Sequence, residues 1–257
     1  MTSDLRYSKK YRKLYAEAIP RYTINEVEPI FKQIGHTHKT PLTVFDVGAN
    51  VGGWSLALIQ HSAPWIGPMH LFEPMPGNLK QLKIAMADGL YGPNLKNMIL
   101  NRFALSDTKG TSVINFENDV TGFASIGSSI VHLLARNVKL PRKLNIQTET
   151  IDAYCAANEI DRIDILKIDV EGHEMSVLKG AKRMLAEKRI GCIIYEIGPH
   201  QMTRREFYKD FFDFFEDLGY ENFRLRENGW APVKIASYMS SLEQFHYVCM
   251  RMAVLPT

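Results

Sequence analysis

Apolar residues follow two rhythms along this chain. Short apolar runs at residues 42–47, 69–72, 98–105, 163–168 and 190–195 read as buried strands. Between them, residues 53–62, 76–87, 151–158, 174–188 and 204–218 place apolar positions every three or four residues, the mark of packed helices. Strands that alternate with helices predict an α/β fold on a doubly wound, mostly parallel sheet. Residues 220–225 and 245–252 are expected to complete that sheet as a terminal hairpin. Ahead of it, residues 4–34 carry two helical patterns. Tyr7, Tyr11, Leu14, Tyr15 and Ala18 form the first; Ile24, Val27, Ile30, Phe31 and Ile34 form the second, which Gly35 stops. The expectation is a helical extension over residues 1–39, packed on one domain that spans 40–257.

The remaining segments are less regular. Residues 112–116 read as a short hairpin-like strand, and 144–150 alternate as another. Residues 117–143 have the weakest pattern, and a long loop inside a compact domain is more often functional than idle, so they are read as a lid or substrate loop. The stripe of Phe207, Phe211, Phe212, Phe214 and Phe215 is read as core packing.

Candidate chemistry lies where the apolar runs end. Open α/β sheets bind ligands beyond the carboxyl ends of their strands. After the first run, Gly48, Asn50 and Gly53 fall on the three glycine positions of a dinucleotide fingerprint, with asparagine in the middle. A side chain there crowds a diphosphate, and Asp46 at the strand end disfavours an anion and favours a cation. The ligand implied is a nucleoside with a positively charged, phosphate-free tail, a description that S-adenosylmethionine fits. Glu73 ends the second strand where a ribose-binding carboxylate is expected; the alternative is an acid that starts the helix at Pro76. The third strand's end borders an adenine pocket, so Ser106 or Asp107 either bonds the adenine amino group or merely forms a turn.

The fourth strand, 163–168, contains Asp164 and Lys167, which suggests that one of its faces is not fully buried. Beyond it, Asp169, Glu171, His173 and Glu174 crowd one turn, a costly arrangement unless a cation or a helix N-terminus offsets it. Glu174 is read as a helix-start acid. Asp169 is read as facing the cationic ligand from the strand beside the first. Asp169, Glu171 and His173 are the candidate catalytic residues, with Glu196 and His200 as outer alternatives, and His173 has the better intrinsic pKa for a base.

Composition narrows the classes. A net charge of +3 spread over 257 residues, with both signs mixed, argues against a nucleic-acid protein. No apolar run approaches the roughly 18 residues of a spanning helix, and no signal peptide is visible behind the basic N-terminus. Cys155, Cys192 and Cys249 lie far apart, as suits free thiols in a cytoplasmic protein. Nothing suggests a structural metal: His36 and His38 read as a solvated loop pair, and the acids at 169–174 lack a dedicated ligand spacing.

Four ordered blocks resemble the FkbM-type methyltransferases, a branch of the class I S-adenosylmethionine-dependent enzymes. They run from Asp46 and Gly48 through Asn50, Gly52 and Ser55; from Phe72 and Glu73 to Asn78; from Ala104 to Gly110; and from Leu166 through Asp169, Glu171 and Gly172 to Glu174. The resemblance implies a Rossmann-like sheet of seven strands in the order 3-2-1-4-5-7-6, the last antiparallel. It implies S-adenosylmethionine as cofactor, with Asp46, Gly48, Asn50, Gly52, Ser55, Glu73, Asn78, Ser106, Asp107 and Asp169 on the binding side. The reaction implied is O-methylation of a hydroxyl on a sugar, glycan or natural-product acceptor. Two other readings stay open: a nicotinamide-dependent oxidoreductase on the same sheet, and a cofactor-binding protein without catalysis.

Overall fold

A computed structural model describes residues 13, 15–17, 19, 20, 22–34, 41–120, 124–126, 139–198, 201, 204–226, 229–232 and 250–257. A π-helical turn, Thr23–Val27, leads into helix α1 (Glu28–Ile34). The core begins with β1 (Leu42–Val47), α2 (Gly53–Ser62), β2 (Ile66–Phe72), α3 (Pro76–Ala87) and β3 (Met98–Asn101). Four short strands and a helix follow: β4 (Ala104–Leu105), β5 (Gly110–Phe116), β6 (Ser125–Ile126), β7 (Arg142–Glu149) and α4 (Ile151–Ala157). The chain continues with β8 (Ile163–Ile168), α5 (Glu174–Lys179), α6 (Lys182–Ala186), β9 (Ile190–Ile197), α7 (Tyr208–Asp217), β10 (Tyr220–Arg226), β11 (Gly229–Pro232) and β12 (Met250–Pro256).

The main sheet runs β11-β10-β12-β9-β8-β1-β2-β3. Without β11 this is the expected order 3-2-1-4-5-7-6, and β12 is antiparallel to both of its neighbours. The expected terminal hairpin is corrected: β10 turns back into β11, while β12 inserts between β9 and β10 and continues to Pro256. Residues 245–249 lie outside the described set.

β1 and β8 sit at the centre, covered on both faces, which is why they read as nearly continuous apolar runs. Successive side chains alternate between faces. Leu42 and Val44 join a cluster that contains Phe31 from α1, Leu56 from α2 and Leu82 from α3. Phe45 and Val47 join the opposite one with Tyr154 of α4, Leu178 of α5, Met184 of α6 and Phe211 of α7.

The third expected strand breaks after Asn101, and Ala104 and Leu105 pair instead with β7. They belong to a second sheet of order β4-β7-β5-β6, which takes in both strands expected at 112–116 and 144–150. Its apolar face, Ile114, Phe116 and Ile146, packs on Met75. The helix expected over 174–188 is interrupted at Gly180, where a Cβ would lie 2.0 Å from the Ser106 carbonyl oxygen. The aromatic helix starts at Tyr208 rather than 204, because the Asp210 carboxylate accepts from the Phe207 amide at 2.6 Å. Phe211, Phe212 and Phe215 are buried as expected, whereas Phe207 stays 58% exposed ahead of the helix. Tyr7, Tyr11, Leu14, Ala18, His36, His38, His200 and Cys249 lie outside the described residues.

One polar contact ties the two central strands together. Asp46 and Lys167 stand opposite each other in the β1–β8 register, and Lys167 Nζ lies 2.9 Å from Asp46 Oδ1. Lys167 is 3% exposed and Asp46 fully buried, so β8 is closed at Lys167 and stays partly open only at Asp164 near its start. A buried ion pair that loses one partner leaves an uncompensated charge. Lys167→Met should therefore lower the unfolding free energy by about 3–5 kcal/mol. Adding Asp46→Asn, which still accepts from Ser55, should restore more than half of that loss in urea unfolding.

Candidate functional site

The turn from β1 into α2 alternates left-handed residues: Gly48 at φ 76°, Asn50 at 52° and Gly52 at 86°. Gly48 must be glycine, because a Cβ there would lie 2.0 Å from the Asp169 carbonyl oxygen. Asparagine is among the few other residues that tolerate this conformation. Successive amides in such a turn form a concavity that takes an anion. Here the chain fills it. Gly48 and Ala49 donate to the Phe72 carbonyl at 3.0 and 3.1 Å, and Asn50 donates to Glu73 Oε2 at 2.8 Å. Beside the crowding by the Asn50 side chain, the amides of residues 48–50 are therefore taken by the chain itself.

Glu73 is buried at the end of β2, with its other oxygen accepting from the Met75 amide at 2.8 Å and the Asn78 side chain also bonded to it. Burial pushes its pKa up to about 7, against the opposing pull of those hydrogen bonds and of Lys167. Glu73 thus joins the glycine turn to the entrance of α3.

The argument from the charge of Asp46 is corrected. Its Oδ1 accepts from Lys167, and its Oδ2 accepts from the Ser55 hydroxyl at 2.5 Å. Lys167 also donates to the Gly48 carbonyl at 2.9 Å, and it lies 3.9 Å from Asp169 Oδ2. Burial alone would lower the Lys167 pKa, but Asp46 and Asp169 more than offset it and hold the ammonium above its usual range. Asp46 is therefore not an unmatched acid awaiting a cation. Asp169 keeps a partly exposed side chain at the same strand ends, and its amide donates to the Val47 carbonyl at 3.0 Å.

The turn after β8 is shaped by Glu174. Its Oε1 accepts from the amides of Val170 and Gly172 at 3.1 and 3.2 Å, and its Oε2 from Gln201 Nε2 at 2.8 Å. Gln201 in turn accepts from the Gly198 amide and donates to the Glu196 carbonyl, which joins the turns after β8 and β9. Burial raises the Glu174 pKa to about 7, against those backbone hydrogen bonds. Glu174 does begin α5, but its carboxylate folds back over the preceding turn, where Glu171 and Gly172 are both left-handed.

Ser106 and Asp107 carry two readings, a bond to the adenine amino group or a turn, on the expectation that the third strand reaches them. That strand ends at Asn101, and the Ser106 hydroxyl instead lies 2.9 Å from His173 Nε2 and donates to Asp107 Oδ1 at 3.0 Å. With its proton given to Asp107, Ser106 requires His173 to donate from Nε2, so Nδ1 is an acceptor, buried and without a hydrogen-bond partner among the described residues. Burial, with help from Arg204 and against Asp107, lowers the His173 pKa to about 4. The advantage His173 holds as a base in water is lost here.

Sequence reasoning also missed four side chains. Lys167 had a signal: it is the fifth residue of β8 as Asp46 is the fifth of β1, so aligned strands set them side by side. Gln201, Ser125 and Arg204 had none. Ser125 donates to the Glu171 carbonyl at 2.9 Å, and Arg204 reaches Ser176 and the Ile126 carbonyl, so β6 is fastened over the β8 turn. Among the described residues no three His, Cys, Asp or Glu side chains form a metal cage, and no helix is long and apolar enough to cross a membrane.

No curated protein matches the chain. Among solved structures, a methyltransferase FkbM from Methylobacillus flagellatus KT is similar with a TM-score of 0.55 and 15% identity, over 91% of this chain and 47% of that one. The present chain thus spans about half of that protein, and at this identity the likeness shows the fold alone. Weaker likenesses are to M. capricolum TrmK (TM-score 0.39, 11% identity, 88% of this chain and 67% of that one) and to the plantazolicin methyltransferase BpumL (0.42, 10%, 98% and 89%). A family model described as the methyltransferase FkbM domain matches residues 46–221, from the acid of the glycine turn to β10, and the chain belongs to that family.

Proposed function

We propose that this protein methylates a hydroxyl group on a sugar, glycan or natural-product acceptor, with S-adenosylmethionine as methyl donor. The family supports methyl transfer. The observation that carries the choice of cofactor is the use of the turn amides of residues 48–50 by Phe72 and Glu73. It takes amides of the glycine turn away from a diphosphate, which together with the asparagine at the middle glycine position weighs against a nicotinamide-dependent oxidoreductase. It leaves a fixed carboxylate at the position a nucleoside ribose needs, with Asn50, Met75 and Asn78 already bonded to it and acceptor capacity for a ribose hydroxyl remaining. When bound, the cofactor supplies an electrophilic methyl carbon on a cationic sulfur.

The chain's own residues then divide the work. Glu73, steadied by Asn78, accepts from the ribose. The turn of Gly48, Asn50 and Gly52 lies against it, and Asp46 and Ser55 hold that turn from beneath through Lys167. Asp169 is the acid left to face the cationic centre and to accept the acceptor's proton, a role that needs placement within hydrogen-bond reach of the hydroxyl. Glu171 and β6 border the acceptor side. His173, bonded to Ser106 and Asp107, orients the turn rather than carrying a proton. Residues 1–39 are assigned to a helical extension and 40–257 to the catalytic domain. The non-catalytic reading is tested together with the acceptor: incubation with a panel of hydroxylated compounds should yield S-adenosylhomocysteine and a product heavier by one methylene, and cofactor binding without either would favour it.

Four outcomes follow from these roles. Glu73→Gln should weaken S-adenosylmethionine affinity by about tenfold to a hundredfold in calorimetry, as expected for a lost charge-assisted hydrogen bond. Because the ribose contact needs the ionised form, wild-type affinity should fall about tenfold per pH unit below the Glu73 pKa of about 7. In the cofactor-free protein the sign reverses. Glu73 and Glu174 bind a proton more tightly when folded than when unfolded, so their contribution to stability declines as pH rises from the ordinary carboxylate value through about 7. Thermal melts across that range should show it, and Glu174→Gln should flatten the slope. Finally, Asp169→Asn should cut turnover by at least about a hundredfold, whereas His173→Ala should stay within about tenfold of wild type and leave the pH–rate profile in place.

A further inference from the structure

We propose that Tyr15 and Tyr91 are positioning residues for the cofactor turn, acting from outside the site and from two separate parts of the chain. The inference rests on the cofactor reading above and extends it to residues that touch no ligand. Tyr15, in the helical segment ahead of α1, donates its hydroxyl to the Val51 carbonyl at 2.5 Å. Tyr91, between α3 and β3, donates to the Gly52 carbonyl at 3.0 Å. Both rings are buried, at 3% and 1% exposure.

Their targets are consecutive peptide groups of the same turn. A peptide unit is planar, so anchoring its carbonyl also sets the direction of the following amide. Residues 48–50 are held from the β2 side by Phe72 and Glu73, and residues 51 and 52 are held from the opposite side by the two phenols. Gly52 shows how close that support is. A Cβ there would lie 2.1 Å from the Tyr91 hydroxyl and 2.5 Å from Leu82 Cδ1, so glycine at 52 serves the tyrosine rather than a ligand. Gly52 oxygen also accepts the first helical bond of α2, from Leu56 at 3.0 Å, so Tyr91 fixes the head of that helix as well. The Tyr91 phenol remains a donor: burial, Tyr15 and Asp46 all push its pKa upward. The family match begins at Asp46, so Tyr15 is a contribution of this chain's N-terminal segment to the family's cofactor turn.

Coupling of this kind is reciprocal: a segment that fixes the turn is itself fixed by whatever the turn binds. The test uses the full chain with Tyr15→Phe, Tyr91→Phe and the double variant, and S-adenosylhomocysteine as probe. Each single variant should raise its Kd about threefold to tenfold, and the double should multiply the two effects. The acceptor KM should change little and the melting temperature of the cofactor-free protein should fall by a few degrees, as for a carbonyl left unpaired, while amide hydrogen exchange at residues 50–56 should speed up without ligand. Unchanged Kd in both variants beside normal wild-type binding overturns the tyrosine assignment alone. A fall in melting temperature with no change in Kd does the same, since it shows a purely structural role. Wild-type protein that binds neither S-adenosylmethionine nor S-adenosylhomocysteine overturns the cofactor reading itself.

Discussion

The ammonium of Lys167 is the interaction on which the site's geometry depends. It lies within 2.9 Å of both the Asp46 carboxylate and the Gly48 carbonyl, and within 3.9 Å of Asp169. Those three groups belong to the end of β1, the glycine turn and the end of β8. A cation in so dry a place is tolerated only because its partners neutralise it and satisfy its donors. Gly48 then allows the two strand ends to touch, since any side chain would strike the Asp169 carbonyl. Charge brings the strands into register, and the missing Cβ lets them close.

Around that pair, the site satisfies itself before any ligand arrives. Phe72 and Glu73 take the amides of the glycine turn, and Glu174 takes those of the β8 turn. Such groups are costly to bury unpaired. Their internal pairing sets the direction of both turns without a ligand. An anion held by the amides of residues 48–50 would have to displace a backbone carbonyl and a carboxylate.

Much of this was legible in the sequence where the local signal was strong. The apolar runs at 42–47 and 163–168 and the helices at 53–62 and 76–87 have the bounds that were read from them, because glycine and proline punctuate three of them and Arg162 and Asp169 bound 163–168. The second sheet was not legible as a sheet. β4 and β6 have two residues each, too few to show any period, and only their pairing with longer strands defines them. The break ahead of Ser106 and Asp107 was hidden for that reason, since the expected third strand ran unbroken to 105. The surroundings of His173 were hidden for another. A pKa from water says nothing about a ring enclosed by packing, and burial is a property of the fold rather than of the residue type. Gln201 links two turns that meet only in three dimensions, so nothing near it in the chain announced the role.

The position of β12 has a consequence for how the protein is made. β9 is a buried, apolar strand whose outer partner, β12, lies far along the chain; Ile193 finally faces Val254. Until residue 256 is available, β9 presents an open edge of unpaired amides and carbonyls, and β10 has nothing to lie beside on that flank. Long-range pairings of this kind form slowly, and exposed apolar edges recruit other chains. During synthesis on the ribosome the glycine turn and the β8 turn can therefore be complete while the sheet beneath them still has a gap. The interval in which the nascent chain is vulnerable to aggregation ends only when its last described strand slides into the space reserved for it.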